Sequence, residues 1–238
     1  MRFNSVLISC LLFAFAALAV KTFTSYTGSV WENQTEGTFN YVHGIFTVPE
    51  MSSPEDMDSF ATVELIFDND GGCPSGAKFR LGVNFHVVQN GPTYIQAQYQ
   101  WSPDPIQKLN IPISTGDTVQ LEFISHSTSG QVFVNNLSSH QHIDMVVNSS
   151  HALCGRAAGW VIQDEINGSG KEMALANFGV VSFTHANAGT RGEILMGPLG
   201  ATQVRFFGKA NYYDSEGHNM STVIVYDDGS AVITFLSN

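Results

Sequence analysis

The feature of this chain that most restricts its fold is a two-residue alternation of apolar and polar side chains. In the stretch 118–123, for example, Val119, Leu121 and Phe123 alternate with polar residues. Successive side chains of a β-strand point to opposite faces, so the pattern predicts short strands with one buried face. Runs of this kind also occur at 38–48, 61–68, 79–88, 93–101, 130–136, 141–147, 159–164, 173–183, 203–208, 222–227 and 230–235.

Turn-forming residues separate the alternating runs. Ser114-Thr115-Gly116-Asp117, Ser127-Thr128-Ser129-Gly130 and Asp227-Asp228-Gly229 have the composition that tight turns favour. After the N-terminal region, no segment predicts a helix of about ten residues. Many short strands, spaced about 8–12 residues apart, predict an all-β fold in which two antiparallel sheets form a β-sandwich. Because no linker or internal repeat interrupts the chain, we expect a single domain over 20–238.

The N-terminus has the pattern of an export signal. Arg2 precedes an apolar run over 6–19, which ends in the small residues Ala17 and Ala19. This order predicts a secretory signal peptide over 1–19. A signal anchor is the alternative, but the run is shorter than the roughly 20 residues that cross a bilayer. We therefore expect a secreted, extracellular protein that has no membrane contact once the signal is removed.

The charge balance excludes one class of partner. The 238 residues include 10 Lys and Arg against 21 Asp and Glu, which gives a net charge of −11. An acidic surface repels phosphate backbones, so we expect no nucleic-acid partner.

Two short patterns resemble metal sites but are incomplete. His140 and His142 would share one strand face, yet no third ligand lies nearby, so we interpret them as a solvated pair. The run Asp68-Asn69-Asp70-Gly71 begins like a calcium loop but lacks the Glu that such a loop carries at its twelfth position. We expect no metal and no cofactor.

The cysteines and the glycosylation sequons fit an oxidising compartment. Removal of the signal peptide leaves Cys73 and Cys154, which would form a disulfide there, with two buried free thiols as the alternative. A bridge that closes a loop of about 80 residues would contribute on the order of 4 kcal/mol. N-glycosylation is predicted at Asn33, Asn136, Asn148, Asn167 and Asn219.

From about Trp31 onward, a series of motifs resembles one known family. The motifs are Phe46-Thr47-Val48-Pro49, Gly82-Val83-Asn84-Phe85, Tyr99-Gln100-Trp101-Ser102-Pro103-Asp104, Ile113-Ser114-Thr115-Gly116-Asp117, Val134-Asn135-Asn136-Leu137-Ser138, Leu153-Cys154, Ala158-Gly159-Trp160-Val161-Ile162-Gln163-Asp164 and Ala176-Asn177-Phe178-Gly179-Val180-Val181-Ser182-Phe183. Each motif is weak alone, but their order and spacing over some 200 residues are specific. The sequence resembles the eqolisin (glutamic peptidase) family of secreted fungal acid endopeptidases.

The resemblance implies a concanavalin A-like sandwich of two curved antiparallel sheets, with a peptide-binding groove on its concave face. It also implies a disulfide between Cys73 and Cys154. Members of the family use a glutamine and a glutamate in the groove. The carboxylate takes a proton from water, the water attacks the peptide carbonyl, and the glutamine amide supports the oxyanion.

The residues that match the catalytic pair are substituted in this chain. Arg80 stands at the glutamine position, and Gln163 stands at the glutamate position. If the family's glutamate were instead the first Glu of that motif, Gly159 would match it. An amide cannot accept a proton from water, and Arg80 is permanently cationic and would also bind carboxylates.

We therefore expect a non-catalytic homologue, a pseudoenzyme, that keeps a ligand groove. Asn84, Gln98, Gln100 and Trp101 would line that groove together with the substituted pair. The predicted ligand is a peptide or a cell-wall polymer, and the protein would be a monomer. We interpret Trp31, Trp101 and Trp160 chiefly as packing residues.

Two alternatives remain open. The first is an active acid endopeptidase with a rearranged site, in which Glu165 or Asp164 acts with Arg80, although strand alternation predicts that Asp164 points away from the face of Gln163. The second is a carbohydrate-binding sandwich, which rests on fold analogy alone. Any acidic side chain within bonding reach of Arg80 would remove the reason for expecting inactivity.

Overall fold

The structure is a computed structural model of the chain. It describes residues 20–23, 25–53, 57–69, 73–164, 174–190, 192–193, 195–206 and 220–236. None of these residues is helical, so within these ranges no helix is available to span a membrane. The predicted signal peptide, Glu165 and the sequons at Asn167 and Asn219 lie outside the described residues.

Sixteen β-strands form within the described ranges. They are β1 (Val20–Phe23), β2 (Tyr26–Trp31), β3 (Tyr41–Thr47), β4 (Ser59–Phe67), β5 (Lys78–Val87), β6 (Thr93–Ser102), β7 (Gln107–Lys108), β8 (Thr118–Ser125), β9 (Ser129–Asn136), β10 (Gln141–Asn148), β11 (Ala158–Gln163), β12 (Ala174–Leu175), β13 (Val180–Gly189), β14 (Thr202–Phe206), β15 (Ser221–Val225) and β16 (Ala231–Phe235).

The strands form two sheets that pack face to face. The first has the order β1-β14-β2-β11-β4-β5-β6-β7, with β12 beside β4, and the second has the order β10-β9-β8-β3-β13-β16-β15. Among the described strand pairs, only β1 with β14 and β12 with β4 are parallel. The predicted two-sheet β-sandwich is therefore confirmed.

Two details differ from the sequence prediction. The run 173–183 is divided between the sheets, because Gly179 adopts a left-handed turn conformation (φ 57°) between β12 and β13. Strands β1, β2 and β7 were not predicted. The four central residues of β2, 27–30, are all buried, and the strand shows no alternation of apolar and polar side chains.

The core lies between the sheets and is rich in aromatic rings. Phe79 of the first sheet stacks on Phe123 of the second, with ring centroids 3.7 Å apart. Trp101 belongs to this core: it is 2% exposed and donates its indole N–H to the carbonyl of His151. The prediction that Trp101 lines the groove is therefore wrong. The indole N–H groups of Trp31 and Trp160 likewise donate to backbone carbonyls, those of Gly197 and His43. This agrees with their interpretation as packing residues.

Asn136 cannot carry a glycan in this fold. Its side chain is 1% exposed and donates to the carbonyl of Pro112 and to the carboxylate of Asp117. The same side chain accepts backbone N–H groups from Ser138 and Ser139. Glycosylation would require this buried amide nitrogen, so the prediction at Asn136 is wrong, whereas Asn33 and Asn148 are exposed.

A disulfide and a buried carboxylate fix the chain segment 154–157 near the end of β4 and the start of β11. Cys73 and Cys154 are bonded, as predicted, with their Cα atoms 5.6 Å apart. Asp68, 1% exposed, follows β4 directly and accepts four backbone N–H groups, from residues 154–157. That segment leads directly into β11, so Asp68 joins the end of β4 to the start of β11.

We expect Asp68→Ala to destabilise the fold by about 3 kcal/mol or more, because it leaves the four N–H groups of that segment without their charged acceptor. Asp68→Asn keeps one of the two acceptor oxygens and should cost clearly less. Urea unfolding of both variants, with the disulfide intact, measures the difference. Equal stability of Asp68→Ala and the wild type would contradict the role assigned to this carboxylate.

Candidate functional site

A cavity lies on the face of the first sheet that is turned away from the second sheet. Strand alternation sends Phe79, Leu81 and Val83 of β5 into the core, so Lys78 and Arg80 point to the opposite face. The cavity has a volume of about 380 Å³ and is lined by Ser25, Thr62, Glu64, Lys78, Arg80, Gln98, Tyr99, Gln100, Ser102, Ile106, Gln163 and Asp164.

A second cavity of about 240 Å³ adjoins the first. Ser25, Lys78, Arg80 and Gln163 line both. The two cavities therefore form one continuous groove, and its two cationic side chains lie at the junction.

The structure brings most of the predicted site residues together. Arg80 and Gln163, which match the family's catalytic pair, line the same cavity, and so do Gln98 and Gln100. Asn84 does not line it. The amide of Asn84 instead donates to the hydroxyl of Thr62 at 3.0 Å, and Thr62 is a wall residue.

Asp164 lies in the wall of the same cavity as Gln163. Strand β11 ends at Gln163, so strand alternation does not fix the direction of the Asp164 side chain. The backbone N–H of Asp164 donates to the carbonyl of Ser25, which fixes the chain where it leaves the strand.

Gly159, the other residue considered for the glutamate position, lies outside the cavity wall. A Cβ atom there would lie 2.7 Å from the carbonyl oxygen of Ser29 on the neighbouring strand. The glycine is explained by this close approach of β11 to β2.

Glu64 is the residue of the site that the sequence analysis missed. It lies at the centre of β4, is 4% exposed and lines the cavity. Its Oε1 atom is 4.0 Å from Nε of Arg80, and among the described residues that oxygen accepts no hydrogen bond. An ionisable carboxyl group therefore does lie within reach of Arg80, so the absence of one can no longer support the expectation of inactivity.

Gly82 makes room for Glu64. The two residues are directly opposite in the pairing of β4 with β5. A Cβ atom on residue 82 would lie 2.5 Å from Cβ of Glu64, a distance that side chains do not tolerate. The glycine of the Gly-Val-Asn-Phe motif thus allows the carboxyl group to lie against the sheet.

Burial raises the pKa of the Glu64 carboxyl to about 7, and the positive charges of Arg80 and Lys78 offset only part of that rise. Desolvation disfavours the ionised form of an acid, while nearby cations favour it. The direction of the shift shows that desolvation is the larger effect here. At acid pH this carboxyl is neutral, and it ionises only near neutrality.

The sequence does contain a signal for Glu64. It is the one charged residue in the apolar run Ala61-Thr62-Val63-Glu64-Leu65-Ile66-Phe67. A charged side chain within such a run is rarely buried unless it has a specific role. Alternation alone assigned it to the polar face and gave no sign that this face is covered.

The two histidines of the incomplete metal pattern lie on the surface. His140 and His142 are exposed, and nowhere in the described ranges do three or more His, Cys, Asp or Glu side chains come together in a way that could hold a metal ion.

Comparison with known proteins identifies the family. Residues 24–233 match the Peptidase A4 family. The chain belongs to the Peptidase A4 (eqolisin) family. Over 137 residues it is 34% identical to Aspergillopepsin-2 of Aspergillus niger, a match that covers 56% of this chain and 48% of that protein. The chain thus matches about half the length of this relative.

Solved structures agree on the fold. Scytalido-glutamic peptidase, in complex with a transition-state analogue inhibitor, superimposes with a TM-score of 0.73 at 22% identity, covering 90% of this chain and 98% of that one. Aspergilloglutamic peptidase from Aspergillus niger gives a TM-score of 0.64 at 28% identity, covering 75% of this chain and 99% of that one. Family membership and the disulfide are consistent with an extracellular location for this eqolisin homologue.

We expect Glu64 to make stability fall as pH rises. The pKa of Glu64 is raised in the folded state. Its contribution to the free energy of unfolding is therefore complete below about pH 4.5 and is lost as the pH rises through about 7. The loss amounts to about 3 kcal/mol. Urea unfolding of the wild type and Glu64→Gln at pH 4 and pH 8 measures it as the difference between the two proteins.

The comparison with Glu64→Gln is needed because other carboxyl groups act in the opposite direction. Hydrogen bonds from the backbone of Gln89 and from His86 lower the pKa of Asp58, so this group loses its contribution as pH falls. An identical pH dependence of unfolding in wild type and Glu64→Gln would show that Glu64 is not buried as described.

Proposed function

We propose that this Peptidase A4 homologue is a secreted protein that holds a peptide in the Arg80–Gln163 groove without hydrolysing it. The observation that carries the proposal is that both positions matching the family's catalytic pair line one cavity, and neither can act as a base. Gln163 is an amide and Arg80 stays protonated. Removal of general-base assistance alone typically costs about 10²–10⁴-fold in rate.

Glu64 does not occupy the place of the missing carboxylate. It is paired with Val161 across the sheet, and Gln163 lies two residues further along β11. Such diagonal neighbours are about 7–8 Å apart. A general base must come within about 2.6–3.2 Å of the atom whose proton it removes, so Glu64 would have to act on a peptide placed differently from one centred on residue 163.

The polar wall supports retention of a ligand. Gln98, Gln100 and Thr62 offer hydrogen-bonding groups along the groove, and the two cations lie at its centre. These are the groups that a peptide backbone and its carboxylates can use.

One observation favours hydrolysis as a second candidate function. Glu64 is a buried carboxyl with a pKa of about 7 beside an arginine in the family's cleft, and perturbed groups of this kind are often catalytic. In that case Glu64 would act as the base once ionised, and Arg80 would support the oxyanion. Activity would then appear near neutral pH and not under acid conditions. Asp164, in the same wall, is the other described carboxyl that could serve.

We expect purified wild-type protein not to cleave denatured casein between pH 2 and 5 or at pH 8. The double variant Arg80→Gln/Gln163→Glu restores the family's catalytic pair and should gain acid activity on the order of 10²-fold above that background. The two single variants, purified from the same host, control for contaminating proteases. Cleavage by the wild type that is lost in Glu64→Gln would establish hydrolysis instead.

A further inference from the structure

The Arg80 side chain faces the groove. It is 24% exposed, and it lines both cavities. Among the described residues it makes no hydrogen bond, and its contact with Glu64, at 4.0 Å, exceeds hydrogen-bond distance. A guanidinium presents several N–H donors in a planar fork that matches a carboxylate.

The Glu64 carboxyl lies beside this fork. Its Oε1 atom is buried and accepts no hydrogen bond from any described residue. The ion pair that these two side chains could form is therefore incomplete. An incomplete pair, with the cation open to the groove, leaves Arg80 able to bind a carboxylate from outside.

The charged groups around Glu64 determine when Arg80 binds an external carboxylate favourably. Strand β5 contributes Arg80 and Lys78, Asp164 follows β11, and the side chains of β6 in the wall are uncharged at acid and neutral pH. With Glu64 neutral, the carboxyl group 4.0 Å from Arg80 does not offset the guanidinium charge, so Arg80 can attract an anion. With Glu64 ionised, its own carboxylate competes for Arg80.

The carboxylates in the wall of the second cavity already have hydrogen-bond partners. Asp68 is occupied by the backbone N–H groups of residues 154–157. Glu32 is engaged with Tyr26 and Asn69.

We propose that Arg80 binds the carboxylate of a peptide ligand and that Glu64 acts as the gate of this subsite, open when neutral and closed when ionised. The proposal rests on the peptide-binding function proposed above and adds the ligand class and its pH control. The carboxylate can be a C-terminus or an Asp or Glu side chain.

Three probes separate these possibilities by isothermal titration calorimetry on the full mature chain. They are acetyl-Ala-Ala-Ala with a free carboxylate, its C-terminal amide, and acetyl-Ala-Asp-Ala-amide. We expect binding of one or both carboxylate peptides at pH 5.5, and at least tenfold weaker binding of the neutral amide. Preference between the first and third probes identifies the source of the carboxylate.

Variants test the gate. Since binding requires a proton on Glu64, the Kd should rise about tenfold between pH 5.5 and 8 in the wild type. Glu64→Gln should bind at both pH values with little change. Arg80→Gln should weaken binding at least tenfold, Arg80→Lys by less, and Lys108→Gln, an exposed lysine outside the cavity wall, should bind like the wild type.

Equal affinity for the acid and amide peptides would overturn the carboxylate subsite while leaving peptide binding intact. A pH dependence that persists in Glu64→Gln would overturn the gate. If none of the three peptides binds the wild type, the proposed peptide-binding function fails as well. Near-UV circular dichroism of each variant confirms that it is folded.

Discussion

The carboxyl group of Glu64 and the guanidinium of Arg80 lie 4.0 Å apart on a sheet face that largely excludes water from one of them. In water such a pair would hold the carboxyl ionised at every physiological pH. Here the cost of burying the charge exceeds the attraction, so the carboxyl remains neutral until about pH 7. The electrostatics of the whole groove depend on this imbalance.

The sheet holds the two groups in this relation. Gly82 gives Glu64 its place against β5, and Asp68, immediately after β4, fastens that strand to the segment leading into β11. The strands that carry Glu64 and Gln163 are thus joined by hydrogen bonds along their length and at one end. Positions on neighbouring strands cannot shift independently in such a sheet. A carboxyl group at residue 64 on β4 therefore lies at a different place in the groove from a carboxyl group at residue 163 on β11.

How much of this was predictable depends on what each strand faces. Strands β8 and β9, buried on one face only, show clear alternation and were placed nearly to the residue. Strand β2, with its central residues buried on both faces, carries no such pattern. Resemblance of motifs placed Arg80 and Gln163 in one site, but motif matching compares position with position. Glu64 matches neither residue of the catalytic pair, so motif comparison passes over it, and its only signal in the sequence is a charge within the apolar run 61–67.

The substitutions at residues 80 and 163 make the groove more positive as well as removing a base. A carboxylate at residue 163 would add negative charge whenever it ionised, and the glutamine there adds none. Arg80 adds a positive charge at all pH values. Glu64, the acid that could offset it, stays neutral under acid conditions because it is buried. An acidic protein, with a net charge of −11, thus keeps in its groove an arginine whose charge the neighbouring Glu64 does not offset below neutral pH, and such local fields influence the choice of ligand.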